Sequence, residues 1–169
     1  YEIMPSLVGS EMCIRDRSDM SVTAETIEQY FEQYGWSYQR LDDTTFRTGF
    51  RGDVSSFIIY IRLSKNWVYF TIVPFVVAPK DETCKHKLYE HLLRLNHEIN
   101  MAKFGVDKDG DIVLSVELPR EKLDYNEFSD ALGALCYYSD ETYLEALNLA
   151  QDPDAISHFQ EEDDLDWGE

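Results

Sequence analysis

The sequence predicts an α+β fold in which helices cover one face of an antiparallel sheet, in the order α-β-β-β-α-β-β-α. Three segments place apolar residues at helical spacing, and the segments between them alternate apolar and polar residues and are separated by turn residues. No internal repeat or linker interrupts this order. The pattern is typical of one layered domain.

The first helix is predicted at residues 22–34, where Ile27, Tyr30, Phe31 and Tyr34 share one face and Gly35 follows as a C-terminal cap. The segments WSYQRL, TFRTGF, SSFIIYIRL and WVYFTIVPFVV then read as a meander of three or four antiparallel strands, with DDT, RGD and SKN as turns. Because proline cannot donate a hydrogen bond to a neighbouring strand, Pro74 predicts an edge strand or a bulge.

The second helix is predicted in DETCKHKLYEHLLRLNHEI, with Asp81 or Thr83 as its N-cap. Two short strands follow, MAKFGV and DIVLSVEL, and flank the acidic cluster at residues 107–111. An EF-hand loop needs glycine at its sixth position and glutamate at its twelfth, and this cluster supplies neither. We expect a hairpin turn in which Asp109 and Gly110 adopt positive backbone angles.

The third helix begins at Asp124, which has Glu127 three residues later as in a capping box. Its spacing predicts a bend near Ser139 and Asp140. The apolar residues expected to face the core are Phe128, Leu132, Leu135, Leu144 and Leu147.

Charge and composition exclude several classes of partner. The net charge is −18, which argues against binding to a nucleic-acid backbone. The longest apolar runs, FIIYI and IVPFVVA, are too short to span a membrane. Cys84 and Cys136 are too few and too isolated for a disulfide framework, so we expect a protein of the reducing cytoplasm.

The two ends of the chain differ from its middle. Residues 1–17, YEIMPSLVGSEMCIRDR, resemble the in-frame translation of a sequencing adapter, and we exclude them from the native fold. Residues 18–150 form the expected domain, and residues 151–169 read as an acidic, disordered tail. An alternative function is that residues 152–169 mimic an acidic ligand of a basic protein, with Phe159, Leu165 and Trp167 as anchors.

The sequence shows no phosphate-binding loop and no recognised catalytic motif, so we predict no catalytic residue, no cofactor and no metal. The histidines of the second helix, His86, His91 and His97, are spaced by five and six residues and therefore do not share a face. We expect them to face solvent or a partner. The alternative is a hydrolase or metal-dependent enzyme with a site around Cys84, His86 and His91.

The third and fourth strand segments carry apolar or aromatic side chains on both alternating sets, so one set would face away from the helices. Fully exposed, Tyr60, Trp67 and Tyr69 would present on the order of 450 Å², at roughly 150 Å² each. A patch of that size marks an interaction surface. The expected partner-binding residues are Tyr60, Trp67, Tyr69 and Val73. The alternatives are that tyrosine and tryptophan simply tolerate half-exposure, or that the last helix covers this surface.

The segment HLLRLNHEINMAKFGVDKDGDIVLSVELP, with the strands before it and LDYNEFSDALGAL after it, resembles the YbjN family, whose domain is similar to type III secretion chaperones. The matching positions are Leu93, Leu95, Asn96, Phe104, Asp109, Gly110, Glu117, Leu118 and Pro119. The resemblance implies a non-enzymatic, homodimeric protein that binds a partner polypeptide over apolar surface, or a regulator. It supplies no catalytic residue.

Overall fold

The computed structural model describes residues 21–160, which include three long helices, six strands and a short helical stretch at residues 158–160. The helices are α1 (Ala24–Tyr34), α2 (Glu82–Glu98) and α3 (Tyr125–Gln151). The strands are β1 (Gln39–Arg40), β2 (Thr45–Arg51), β3 (Ser56–Leu63), β4 (Trp67–Val76), β5 (Lys103–Val106) and β6 (Ile112–Pro119).

All strands pair antiparallel in one sheet of order β1-β2-β3-β4-β6-β5. Four strands therefore precede α2, one more than in the expected element order, because WSYQRL contributes the two-residue strand β1. The predicted α+β class and the meander are confirmed.

The helices pack on one face of the sheet, which we call the inner face. Phe128 of α3 is the centre of this contact, with its ring centroid 5.1 Å from that of Phe31 and 5.7 Å from that of Phe70. Farther along α3, the Tyr143 ring meets Phe57 at 5.2 Å. The inner-face residues of the central strands are almost fully buried: Phe57, Ile59, Ile61, Leu63, Val68, Phe70, Ile72, Ile112, Leu114 and Val116. Burial of these alternate side chains is the main apolar stabilisation of the fold.

The helix caps follow the sequence signals. Gly35 ends α1 with φ 80°, Asp81 caps α2 through the Cys84 amide, and Asp124 and Glu127 form the capping box of α3. α3 is one continuous helix of 27 residues, and the bend expected near Ser139 and Asp140 stays a prediction. Leu144 is 57% exposed and does not belong to the core.

Two backbone predictions concern β4 and the hairpin between β5 and β6. β4 lies between β3 and β6, so Pro74 does not mark an edge strand. The register instead shifts between Ile72 and Val76, as the predicted bulge or another irregularity of the pairing would cause. In the hairpin only Gly110 has a positive φ, of 85°, and the same expectation for Asp109 was wrong.

The predicted tail is partly folded. Ala155, Ser157 and Phe159 are buried, and the ammonium of Lys87 on α2 donates to the carbonyls of residues 152, 153 and 155 at 2.6–3.0 Å. We call residues 152–160 the terminal segment. The expected boundary at residue 150 and the expected disorder from residue 151 are therefore wrong up to residue 160. Residues 1–17 and 161–169 lie outside the described residues.

Candidate functional site

The sheet surface opposite the helices, which we call the open face, carries the four residues predicted to bind a partner. Trp67, Tyr69 and Val73 alternate along β4 with buried residues, and Tyr60 of β3 lies beside Thr71 of β4. Trp67 is 44% exposed, and the other three are half-buried. The structure thus places all four side chains on one surface.

The helix α3 does not cover this surface, because its aromatic contacts are to the inner face. The alternative that the last helix covers this surface is therefore wrong. Two of the three rings, those of Tyr60 and Tyr69, are half-buried, which agrees with the alternative that aromatic side chains tolerate half-exposure. Polar side chains from neighbouring strands also interrupt the aromatic surface: Arg47, Arg62, Lys103, Ser115 and Glu117.

The open face is basic around its aromatic residues. The Arg62 guanidinium lies 4.9 Å from the ring centroid of Tyr69, within the range of a cation–π contact. Arg47 and Arg51 project from β2 on the same side, and both are exposed. Lys103 is paired with Glu117 at 2.9 Å. In a chain of net charge −18, this surface therefore concentrates arginine beside aromatic rings.

The three residues of the alternative site on the second helix do not converge. Cys84 is buried next to the N-cap of α2, His86 is exposed, and His91 is buried deeper along the helix. Burial raises the pKa of the Cys84 thiol, with a further contribution from Asp81, which disfavours a reactive thiolate. His91 was expected to face solvent or a partner, and that expectation is wrong.

His91 instead meets two residues from other elements. Its Nε2 lies 3.7 Å from Oε2 of Glu145 on α3, and its Nδ1 lies 2.7 Å from the hydroxyl of Ser157 in the terminal segment. Nδ1 of His158 lies 2.8 Å from the same Glu145 oxygen. We call His91, Glu145 and His158 the histidine–glutamate cluster. One ligand atom of each lies within 4.8 Å of the others.

Protonation in the cluster follows from burial and from the contacts of Glu145. Burial lowers the pKa of His91, against the opposing effect of the Glu145 carboxylate, so the imidazole is neutral at neutral pH. Burial alone would raise the pKa of Glu145, but hydrogen bonds from the backbone and side chain of His158 outweigh it and lower that pKa. The cluster therefore presents a neutral imidazole to a carboxylate.

The cluster was not predicted from the sequence, because His158 was expected to lie in a solvated tail. A signal was present on α2, where Lys87, His91 and Arg94 follow one another at spacings of four and three and so share a helix face. In the structure this face holds the terminal segment: Arg94 lies 5.8 Å from the ring centroid of Phe159. Phe159, which we had considered as an anchor for a basic partner, is buried in its own chain. Leu165 and Trp167 lie outside the described residues.

The family model of YbjN, described as "Putative bacterial sensory transduction regulator", matches residues 23–137. The search of curated proteins found no significant match. Among the described residues, none of the helices has the length and apolar composition needed to cross a membrane.

Three solved structures share the fold. YbjN from E. coli superposes with a TM-score of 0.54 at 17% identity, covering 73% of this chain and 93% of that chain. A chain of the heterodimeric ExoU-SpcU complex, from the type III secretion system of Pseudomonas aeruginosa, gives 0.51 at 19% identity, covering 73% and 97%. A chain of the ExsC-ExsE complex gives 0.52 at 14% identity, covering 74% and 96%. These likenesses confirm the secretion-chaperone-like fold, and at such identities they show the fold alone.

Proposed function

The chain belongs to the YbjN family, and from this premise we propose that it is a non-enzymatic, chaperone-like or regulatory protein that binds a partner polypeptide on its open face. The contacts that we propose are Tyr60, Trp67, Tyr69 and Val73. The observation that carries the proposal is that the helices pack on the inner face and leave these side chains partly exposed.

Apolar area on the open face favours association. Trp67 is 44% exposed, and Ile58, on the neighbouring part of β3, is 42% exposed. Removing such apolar area from water contributes roughly 25 cal/mol of favourable free energy per Å². Aromatic and arginine side chains are also the residue types that contribute most to protein–protein contacts. A polypeptide that covers Trp67 and Tyr69 would therefore gain binding energy from burial of aromatic area.

The arginines indicate the chemistry of the partner. Arg47, Arg51 and Arg62 would attract carboxylates, whereas the acidic remainder of the chain would repel them. We propose a partner segment that places apolar side chains on the aromatic rings and acidic side chains on the arginines. A strongly basic segment would be drawn to other surfaces of the protein.

The fold likeness supports this function. Two of the matched chains come from complexes of two different proteins, ExoU with SpcU and ExsC with ExsE. The expected homodimer and the cytoplasmic location belong to the same proposal. Cys84 and Cys136 are free thiols, as a reducing compartment requires.

The test uses peptides of defined length in place of an unknown partner. A phage-displayed library of random peptides is selected against the full chain, and enriched peptides are measured by fluorescence anisotropy. We expect apolar and acidic residues in the enriched peptides, and affinity at least about tenfold lower for Trp67→Ala and for Arg62→Ala. The matched control is Tyr137→Ala on α3, where an aromatic side chain is 61% exposed on the helical side.

Three outcomes would overturn the proposal. The library could yield no binding peptide, Tyr137→Ala could weaken binding as much as Trp67→Ala, or the enriched peptides could be basic. Light scattering of the same samples tests the homodimer separately. A monomeric mass would contradict the proposed homodimer without affecting the result for peptide binding.

A further inference from the structure

We propose that His91, Glu145 and His158 bind a Zn²⁺ ion that fastens the terminal segment to α2 and α3. This proposal is independent of the open face. Two observations carry it: the ligand atoms of the three residues lie within 4.8 Å of one another, and Nε2 of His91 is buried without a hydrogen-bond partner among residues 21–160. A buried polar atom of this kind costs free energy unless something binds it.

The donor set is suited to zinc. Two imidazole nitrogens and one carboxylate form a known type of three-ligand zinc site, with a fourth position for water or another group. Tetrahedral Zn²⁺ with ligands at about 2.0–2.1 Å separates its ligand atoms by about 3.3 Å. The observed distances to Oε2 of Glu145 are 3.7 Å from His91 Nε2 and 2.8 Å from His158 Nδ1. Small side-chain rotations would bring both to the required value.

The ligands are already oriented by outer contacts. The Ser157 hydroxyl lies 2.7 Å from Nδ1 of His91, so Nδ1 can keep its proton while Nε2 offers its lone pair to the metal. Oε1 of Glu145 accepts from the backbone N–H of His158 at 2.8 Å, which leaves Oε2 for the ion. Ser157 and His158 are neighbours in sequence, so one short segment supplies both a ligand and an orienting group.

His158 already directs its Nδ1 at the Glu145 carboxylate. Nδ1 lies within hydrogen-bond distance of both Glu145 oxygens, and zinc would displace the hydrogen atom that now joins the two groups. The nearby cations are engaged elsewhere, Lys87 with three backbone carbonyls and Arg94 over the Phe159 ring.

A bound ion would link three elements that are distant in sequence. His91 comes from the middle of α2, Glu145 from the last two turns of α3, and His158 from the terminal segment. Zinc would therefore reduce opening of the terminal segment, whose other attachments include the Lys87 contacts and burial of Phe159.

The experiment uses tag-free full-length protein treated with a chelator and titrated with Zn²⁺ by calorimetry. We expect one ion per chain, and binding weaker by at least about tenfold in His158→Ala and Glu145→Gln. The matched control is His97→Ala, which removes an exposed histidine of the same helix and should leave zinc affinity unchanged. His158 is partly exposed, so its variant is expected to fold.

A second readout separates this site from adventitious binding. Hydrogen exchange should slow in residues 152–160 when Zn²⁺ is added to the unmodified protein, and Glu145→Gln should abolish that slowing. Absence of stoichiometric binding, equal affinity in His158→Ala, or exchange that zinc does not alter would each overturn the proposal.

Discussion

The side-chain amide of Asn96 on α2 pairs with both backbone groups of Phe104 on β5. Its Nδ2 donates to the Phe104 carbonyl at 3.0 Å, and its Oδ1 accepts from the Phe104 N–H at 2.7 Å. β5 is the last strand of the sheet, so this pair takes the place of a further strand at that edge. Two of the positions that carry the resemblance to YbjN therefore have a structural role.

Replacing Asn96 with alanine would leave both backbone groups of Phe104 without their partner. We expect Asn96→Ala to lower the free energy of unfolding by about 2 kcal/mol, since each lost hydrogen bond costs about 1 kcal/mol. Urea denaturation measures the change. The control is Asn126→Ala, an exposed position in the first turn of α3, which should shift stability by less than about 0.5 kcal/mol. Equal effects of the two variants would contradict the edge-closing role.

The neighbours Tyr69 and Phe70 test the assignment of the two sheet faces. Phe70 is fully buried under α3, and its replacement by alanine should cost about 3–5 kcal/mol. Tyr69 lies half-buried on the open face beside Arg62, and its replacement should cost about 1 kcal/mol or less. Thermal and urea unfolding compare the two variants directly. A loss of stability for Tyr69→Ala as large as that for Phe70→Ala would mean that the open face is part of the core.

Lys87 tests whether the terminal segment is folded onto α2. Its ammonium donates to three carbonyls, so Lys87→Met should increase amide exchange in residues 152–160 by at least about tenfold, as expected for loss of charged hydrogen bonds. Mass spectrometry with peptide resolution measures this rate. The matched control is Lys85→Met on the same helix, whose Nζ lies 3.8 Å from the exposed Glu82 carboxylate. Fast amide exchange of residues 152–160 in the unmodified protein would contradict their packing on α2.

Cys136 supplies a prediction about pH. Burial, with a smaller contribution from Asp140, raises the pKa of its thiol to about 12 from an ordinary value of 9.0. Alkylation by iodoacetamide should therefore still accelerate about tenfold per pH unit between pH 9 and 11, a range over which the rate for an ordinary thiol rises only about twofold in all. Mass spectrometry of the modified peptide measures the rate, and the protein unfolded in guanidinium is the reference.

The same shift has a consequence for stability. The folded protein holds the Cys136 proton more tightly than the unfolded chain does. The contribution of this group to the free energy of unfolding is therefore complete below pH 9 and is lost as pH rises from 9 towards 12. Alkylation of the folded protein that levels off near pH 9 would contradict the raised pKa of this half-buried thiol.

Local signals in the sequence determined most of the elements. The caps at Gly35, Asp81 and Asp124 depend on hydrogen bonds within one helix turn, and the hairpin at Gly110 depends on one backbone angle. Such features involve residues that are close in sequence, so spacing and residue type predict them. The same locality explains why Pro74 was expected to disturb the strand pairing, and the register does shift there. The central position of β4 in the sheet depends on distant strands and was not predicted.

The sequence by itself determined the α+β class, the helix caps and the alternation of the strands. Only the tertiary structure decided that His91, Glu145 and His158 meet, and that the terminal segment packs on α2. The physical reason is the distance in sequence between the residues that determine each feature. Periodicity reports which way a side chain points from its own helix or strand, whereas the meeting of side chains from three elements depends on how those elements pack.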